Sequence, residues 1–457
     1  MPFTSFLFVG FVCVVLVSYQ LVRPAWRSWL LLIASLLFFG YSGLLAIGLL
    51  LIVAGVCFTA TRSVGNLHRS TAIGIAALIS LLLLLKFLVA DLFGHRPMLS
   101  TIALLGSSYY ILQAIGYLLD VRDRKVGAIP NYKSTILFLG FFPQATAGPI
   151  HRTSELMPQF YSLEAFSTNR IVRALKIILW GYFCKLIVAD KISSIISPVF
   201  ADVYSHDGST LVLSAALYSM QIYFDFYAYT QIAIGIASLF GITFVENFSQ
   251  PYLATSFKEF WRRWHMSLSR WLRDHVYIRL GGRRESVITF FFVILITFLV
   301  SGLWHGIAWN FIVWGVLHAL LYFGEDRFDQ TKIGQIAKRF HLTRIAGRIL
   351  FLTLIAGTWL VFRSTNLREL LDIWIRILQP WEFYKMFEMF NSPNWLFVIL
   401  APLIIVFQVD RVRNSSFHGT PRNAKEQVLE YLLVTGSLLM IVIFGGIGAR
   451  EFLYFSF

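Results

Sequence analysis

The sequence predicts an all-α polytopic membrane protein, and three observations lead there. Of 457 residues, 57% are hydrophobic and only 14% are charged, too few charges for the surface of a soluble domain of this length. Long uncharged runs recur, at 4–22, 28–61 and 97–119 among others, and about 20 apolar residues cross a bilayer as a helix. The charge that remains is basic, 39 Lys and Arg against 24 Asp and Glu, for a net +15. In a membrane protein such an excess holds cytoplasmic loops against anionic lipid. It does not point to nucleic acid.

The elements follow in order. Residues 4–22 lack a small-residue cleavage site and lead directly into more apolar sequence, so they read as a retained span. The run 28–61 would be about 50 Å long as one helix, against a hydrocarbon core of about 30 Å. "FGYSG" at 39–43 offers a break at two glycines, and two short helices are expected. Arg23 and Arg27 on one flank and Arg62 and Arg69 on the other then share the cytoplasmic side, which puts the N-terminus outside. Further spans are expected at 70–90, 97–119, 134–150, 174–200, 348–363, 394–410 and 427–449.

The runs 208–245 and 286–324 are too long for one crossing, and each holds a polar interruption. These are Asp225 in "QIYFDFYAYT" and His305 in "GLWHG", and both runs are expected to break there. Broken backbone at membrane depth is tolerated only where it is buried in protein or lines a wet cavity. Cys13, Cys57 and Cys184 lie in apolar stretches without paired spacing, which suggests neither a disulfide framework nor a zinc site. The chain reads as one integral membrane domain, 1–457. Its longest polar connections, 120–134, 246–285, 325–347 and 411–427, are loops or interfacial helices.

One connection departs from ordinary loop composition: "SFKEFWRRWHMSLSRWLRDHVYIRLGGRR", 256–284. On a continuous helix Phe257, Phe260, Trp261, Trp264, Leu268, Trp271 and Leu272 share one face, and arginines cover the other. Such a helix is expected to lie in the membrane interface, with His265 at the boundary of its two faces. It serves either as an anchor to anionic headgroups or as a receiver of a phosphorylated cofactor, since guanidinium forks suit phosphate. His305 carries more weight, because ionisable groups within lipid are expensive and usually face a pathway. His318 fits an interfacial or a functional role equally. Asp225 reads as a buried carboxylate that needs a partner.

Five blocks then stand in order: "LGFFPQATAGPIHR" at 139–152, "GYFCKLIVAD" at 181–190, "LYSMQIYFDFYAYTQIAIG" at 217–235, "ENFSQPYLATSFKEFWRRWHMSLSRWLRDHVYIRLGG" at 246–282 and "GLWHGIAWNFIVWGVLH" at 302–318. In these the sequence resembles the membrane-bound O-acyltransferases, most closely the bacterial branch of the alginate O-acetylation membrane subunit. The resemblance implies a ring of roughly 11–13 tilted, partly broken transmembrane helices around a central tunnel, with interfacial helices added. It implies His305 and His265 as the catalytic pair. Arg262, Arg263, Arg273, Trp264 and Trp304 are the expected donor-binding residues, and Asp225, Gln144 and His318 the supporting ones.

The activity implied is His-assisted O-acyl transfer from acetyl-CoA or another acyl thioester, with no bound cofactor and no metal. It belongs in a bacterial inner membrane, with a cell-envelope polysaccharide as acceptor and a separate extracytoplasmic acyltransferase as partner. Two positions depart from the family pattern. Phe224-Asp225-Phe226-Tyr227-Ala228-Tyr229-Thr230-Gln231 lacks a second acidic residue, and Arg279 replaces a usual proline. Both leave the acceptor open among alginate, peptidoglycan, cellulose and other polysaccharides. A transporter or flippase, a scaffold for a polysaccharide synthase, and D-alanyl, lipid or protein acylation are the alternatives.

Overall fold

A computed structural model describes residues 1–62, 65–92, 106–163, 167–283, 286–337, 341–406, 424–446 and 452. The described residues are helical, without strands, and divide into two compact units. One unit comprises Met1–Tyr182, Tyr229–Glu246 and Ile447–Ser456; the other comprises Phe183–Ala228 and Asn247–Gly446.

The first unit contains α1 (Phe6–Leu21), α2 (Arg27–Gly40), α3 (Leu44–Thr61), α4 (Leu67–Leu92), α5 (Ser107–Arg122), α6 (Tyr132–Gly140), α7 (Thr153–Tyr161) and most of α8 (Thr168–Phe183). The break expected in "FGYSG" lies between α2 and α3, where Gly43 takes a φ of +110°, a conformation open to glycine. Phe3 anchors an aromatic core, stacked on Phe8 at 4.4 Å and on Tyr229 at 4.7 Å. Of the expected span 97–119, residues 97–105 lie outside the described residues, and the remainder falls in α5.

The expected span 134–150 is corrected. Only Tyr132–Gly140 is helical, because Pro143 and Pro149 cannot continue a helix. The irregular stretch is buried, so side chains satisfy its backbone: Ser35 Oγ accepts from Phe142 N–H at 3.1 Å, and Tyr229 Oη from Ala147 N–H at 3.2 Å.

The second unit begins with a π-turn, Cys184–Ala189, that continues into α9 (Asp190–Ala201). It takes the part of α10 (Gly208–Leu239) up to Ala228. Then come α11 (Phe257–Arg263), α12 (Met266–Leu272), a π-turn at Arg273–Tyr277, α13 (Val287–His305), α14 (Trp309–Asp329), α15 (Lys332–Ala337), α16 (His341–Arg363), α17 (Leu367–Ile377), α18 (Phe383–Glu388), α19 (Trp395–Val406) and α20 (Ala424–Phe444). Most of the expected connection 411–427 lies outside the described residues.

The expected break of 208–245 at Asp225 is also corrected: α10 runs through it unbroken for 32 residues. Lys185 Nζ reaches Asp225 Oδ1 at 2.7 Å, so a countercharge, rather than an opened backbone, accommodates the carboxylate. The irregularity is in the Cys184–Ala189 π-turn, which carries that lysine.

Four helical segments are long and apolar enough to cross a membrane among the described residues: Leu44–Thr61, Leu67–Leu88, Val287–His305 and Ile345–Arg363. The break at "GLWHG" is where the sequence put it. There α13 ends at His305, α14 starts at Trp309, and the two pack as a close hairpin. A Cβ on Gly302 would lie 2.2 Å from the Phe311 carbonyl oxygen, and one on Gly315 would lie 2.7 Å from that of Phe298. Only glycine permits this approach.

Candidate active site

The basic stretch is not one interfacial helix. It reverses at Trp264–His265, where His265 takes φ 41° and ψ 53°, a left-handed conformation uncommon for side chains other than glycine. Its two arms run along the α13–α14 hairpin. At the base, Lys258 Nζ meets Asp326 Oδ1 at 2.6 Å, and the Glu325 carboxylate accepts from the N–H groups of Phe257 and Lys258, each at 3.1 Å. Half-way along, Trp261 packs on Phe298 (5.2 Å) and His318 (5.1 Å). At the tip, His265 lies 5.9 Å from Trp304, next to His305. The returning arm brings Tyr277 back to the Phe290–Ile294–Phe298 cluster, and Arg283 back to Asp326 at 3.4 Å. The segment is re-entrant, with a histidine at its apex.

A strained reversal needs its backbone held, and Asn247 does this twice. Its carbonyl accepts from Met266 N–H at 2.8 Å and its side-chain oxygen from Ser267 N–H at 3.3 Å. Ser249 N–H adds a bond to the Arg263 carbonyl at 2.9 Å. His265 is thereby fixed with 1% of its surface exposed, edge-on to Phe226 at 4.8 Å.

His305 closes α13. Its ring is 4.8 Å from Trp304, 5.5 Å from Trp314 and 5.1 Å from Phe362. Gly306, extended, leaves room for Phe311, whose ring would be 2.4 Å from an added Cβ. Asn310 donates from Nδ2 to the Phe362 carbonyl at 2.9 Å, tying the start of α14 to α16. Trp304 thus touches both His265 and His305. Trp314 lies between His305 and His318, 4.6 Å from the latter.

His318 is buried among Trp261, Phe298 and Trp314, and its Nε2 is 3.1 Å from Thr358 Oγ1. Thr358 itself donates to the Ile355 carbonyl, so Nε2 carries the proton in that contact. Asp225 is held by Lys185, which also meets Asp190 Oδ1 at 2.9 Å.

The arginines differ in their commitments. Arg263 pairs with Glu259 at 2.6 Å and Arg273 with Asp274 at 2.8 Å. Arg262 is exposed and has no carboxylate partner among the described residues. Trp264 is buried against Phe260, Phe248 and Trp359. Gln144 belongs to the first unit, where its Oε1 accepts from His151 Nδ1 at 3.2 Å and its Nε2 donates to the Phe138 carbonyl at 2.6 Å. His151 Nε2 accepts from Val245 N–H at 3.3 Å, which fixes a neutral tautomer.

Sequence reasoning missed Asn247, Trp314 and Lys185. The lysine carried a legible signal: a cation in the apolar run "GYFCKLIVAD" needs a buried countercharge. Asn247 had none, because its work depends on a reversal that neither Gly nor Pro marks.

The chain is similar to a probable alginate O-acetylase of Azotobacter vinelandii, 34% identical over 305 residues, which are 66% of this chain and 57% of that protein. A probable alginate O-acetylase of Pseudomonas aeruginosa is 33% identical over 421 residues, 86% of this chain and 76% of that one. A peptidoglycan O-acetyltransferase of Helicobacter pylori is 30% identical over 418 residues, 81% of this chain and 77% of that one. The sequence profile of MBOAT, the membrane-bound O-acyltransferase family, matches residues 96–360, which hold the re-entrant segment, the α13–α14 hairpin and both histidines that flank Trp304. The chain belongs to that family.

Proposed function

We propose that this chain moves an acyl group, acetyl in the simplest case, from a cytoplasmic acyl thioester such as acetyl-CoA across a bacterial inner membrane. The group then serves O-acetylation of a cell-envelope polysaccharide by a separate extracytoplasmic transferase. The observation that carries this reading is the shared indole: Trp304 lies against both His305 and His265, in a family of O-acyltransferases. The names of the relatives, alginate and peptidoglycan O-acetylating proteins, supply the acceptor class.

In the proposed step His305 takes the proton of the hydroxyl that receives the acyl group for relay to the extracytoplasmic transferase, as that oxygen attacks the thioester carbonyl carbon. The carbon–sulfur bond breaks, and the leaving thiolate receives that proton from the imidazolium. His265, buried and fixed at the tip, orients the groups at Trp304. Arg262, exposed and without a carboxylate partner among the described residues, draws the donor's phosphates. A tunnel within a ring of tilted helices is the architecture this requires.

The test compares alkali-released acetate from envelope polysaccharide in wild type, a deletion, and the deletion carrying His305→Ala at matched membrane levels. Loss of a general base lowers the rate about 10²–10⁴-fold, so ester content in the variant should match the deletion. Wild-type ester content in the variant would remove His305 from catalysis.

A further inference from the structure

The second unit contains a cavity of about 980 Å³ that none of the histidines lines. Its walls are apolar: Ala215 and Ala216 of α10, Leu352 and Ala356 of α16, and Trp374 of α17. One end is different. Arg263 and Arg348 both face the cavity there, beside Gln250 and Tyr252. Arg263 is neutralised by Glu259 at 2.6 Å. The polar contact of Arg348 among the described residues is a long bond, 3.5 Å, from Nη2 to the Tyr252 carbonyl. Among the described residues that line it, this end therefore carries one net positive charge, on the Arg348 guanidinium.

Length and opening identify the occupant. From Arg348 to Leu360 the wall follows α16 for twelve residues, about 18 Å at 1.5 Å per residue. Half the hydrocarbon core of a bilayer is about 15 Å. The groove matches one leaflet, with its cation near one end of the candidate span Ile345–Arg363. Val212 and Trp374 on its rim are 39% and 38% exposed, and α16 also exposes Ile345, Ile349 and Leu350. The groove opens onto a surface made for lipid.

We infer that this groove holds one anionic glycerophospholipid, its phosphodiester on Arg348 and Arg263 and one acyl chain along α16 between Ala216 and Ala356. Charge selects the class. A zwitterionic lipid would bring its own cation to an end that already has one in excess, whereas a phosphatidylglycerol headgroup neutralises it.

The protein is reconstituted in vesicles of four parts phosphatidylcholine to one part phosphatidylglycerol, re-extracted in mild detergent, and its retained lipid counted by native mass spectrometry. Wild type should retain one phosphatidylglycerol. Arg348→Gln should lower its retention at least about tenfold, the effect of a lost hydrogen bond to a charged group. Thr353→Trp, placed on the exposed groove wall, should exclude the chain even if the arginine variant folds poorly. Retention unchanged in both variants, or equal retention of phosphatidylcholine, overturns the inference. So does displacement of the lipid by millimolar inorganic phosphate, which would make this a simple anion site.

Discussion

At His265 two features coincide: a left-handed backbone, which costs about 1–2 kcal/mol for a residue with a Cβ, and a buried imidazole. The two candidate histidines were legible, His305 because an imidazole stands out in apolar sequence and His265 because it interrupts a basic, tryptophan-rich stretch. Their meeting at Trp304 was not, since "RRWHMS" has nothing to distinguish a reversal from a continuing helix.

Among the elements, glycine spacing was the most legible feature and charge the least. The breaks in "FGYSG" and "GLWHGIA" fall where glycine or extended backbone interrupts the helix, whereas Asp225 misled because its lysine lies 40 residues away. Two comparisons test these elements. Gly302→Ala places a methyl against the backbone of α14 and should cost about 1–3 kcal/mol. Gly48→Ala, with nothing within 4 Å in α3, should stabilise by about 0.5–1 kcal/mol. Equal melting temperatures would show that the hairpin does not depend on its close approach. Lys185→Met leaves the Asp225 carboxylate buried without its ammonium and should cost about 3–5 kcal/mol. Lys185→Met with Asp225→Asn should recover more than half of that. If the double variant is as unstable as the single, the pair is not what holds α10 against the π-turn.

For the whole molecule, membrane class and family were readable from composition and five ordered blocks, while the fold of the charged segment was not. A wheel drawn over 256–284 assigns its apolar face to lipid, yet that face packs on protein: Trp261 meets Phe298 and Trp314, and Lys258 reaches Asp326. Those partners all lie later in the chain. During synthesis residues 257–277 leave the ribosome after Phe226, Asn247 and Phe248 but before the α13–α14 hairpin along which their arms run, and they carry too much charge to enter lipid unaccompanied. The apex must therefore wait at the surface until 287–329 has been inserted, and then fold back along it. Ribosome-arrested chains can catch this order. With only residues up to 285 exposed, a cysteine placed at Ser267 should react freely with an impermeant maleimide; with residues up to 363 exposed, it should be protected. The histidine at the apex is a late arrival, assembled after the α13–α14 hairpin beside it is already in place.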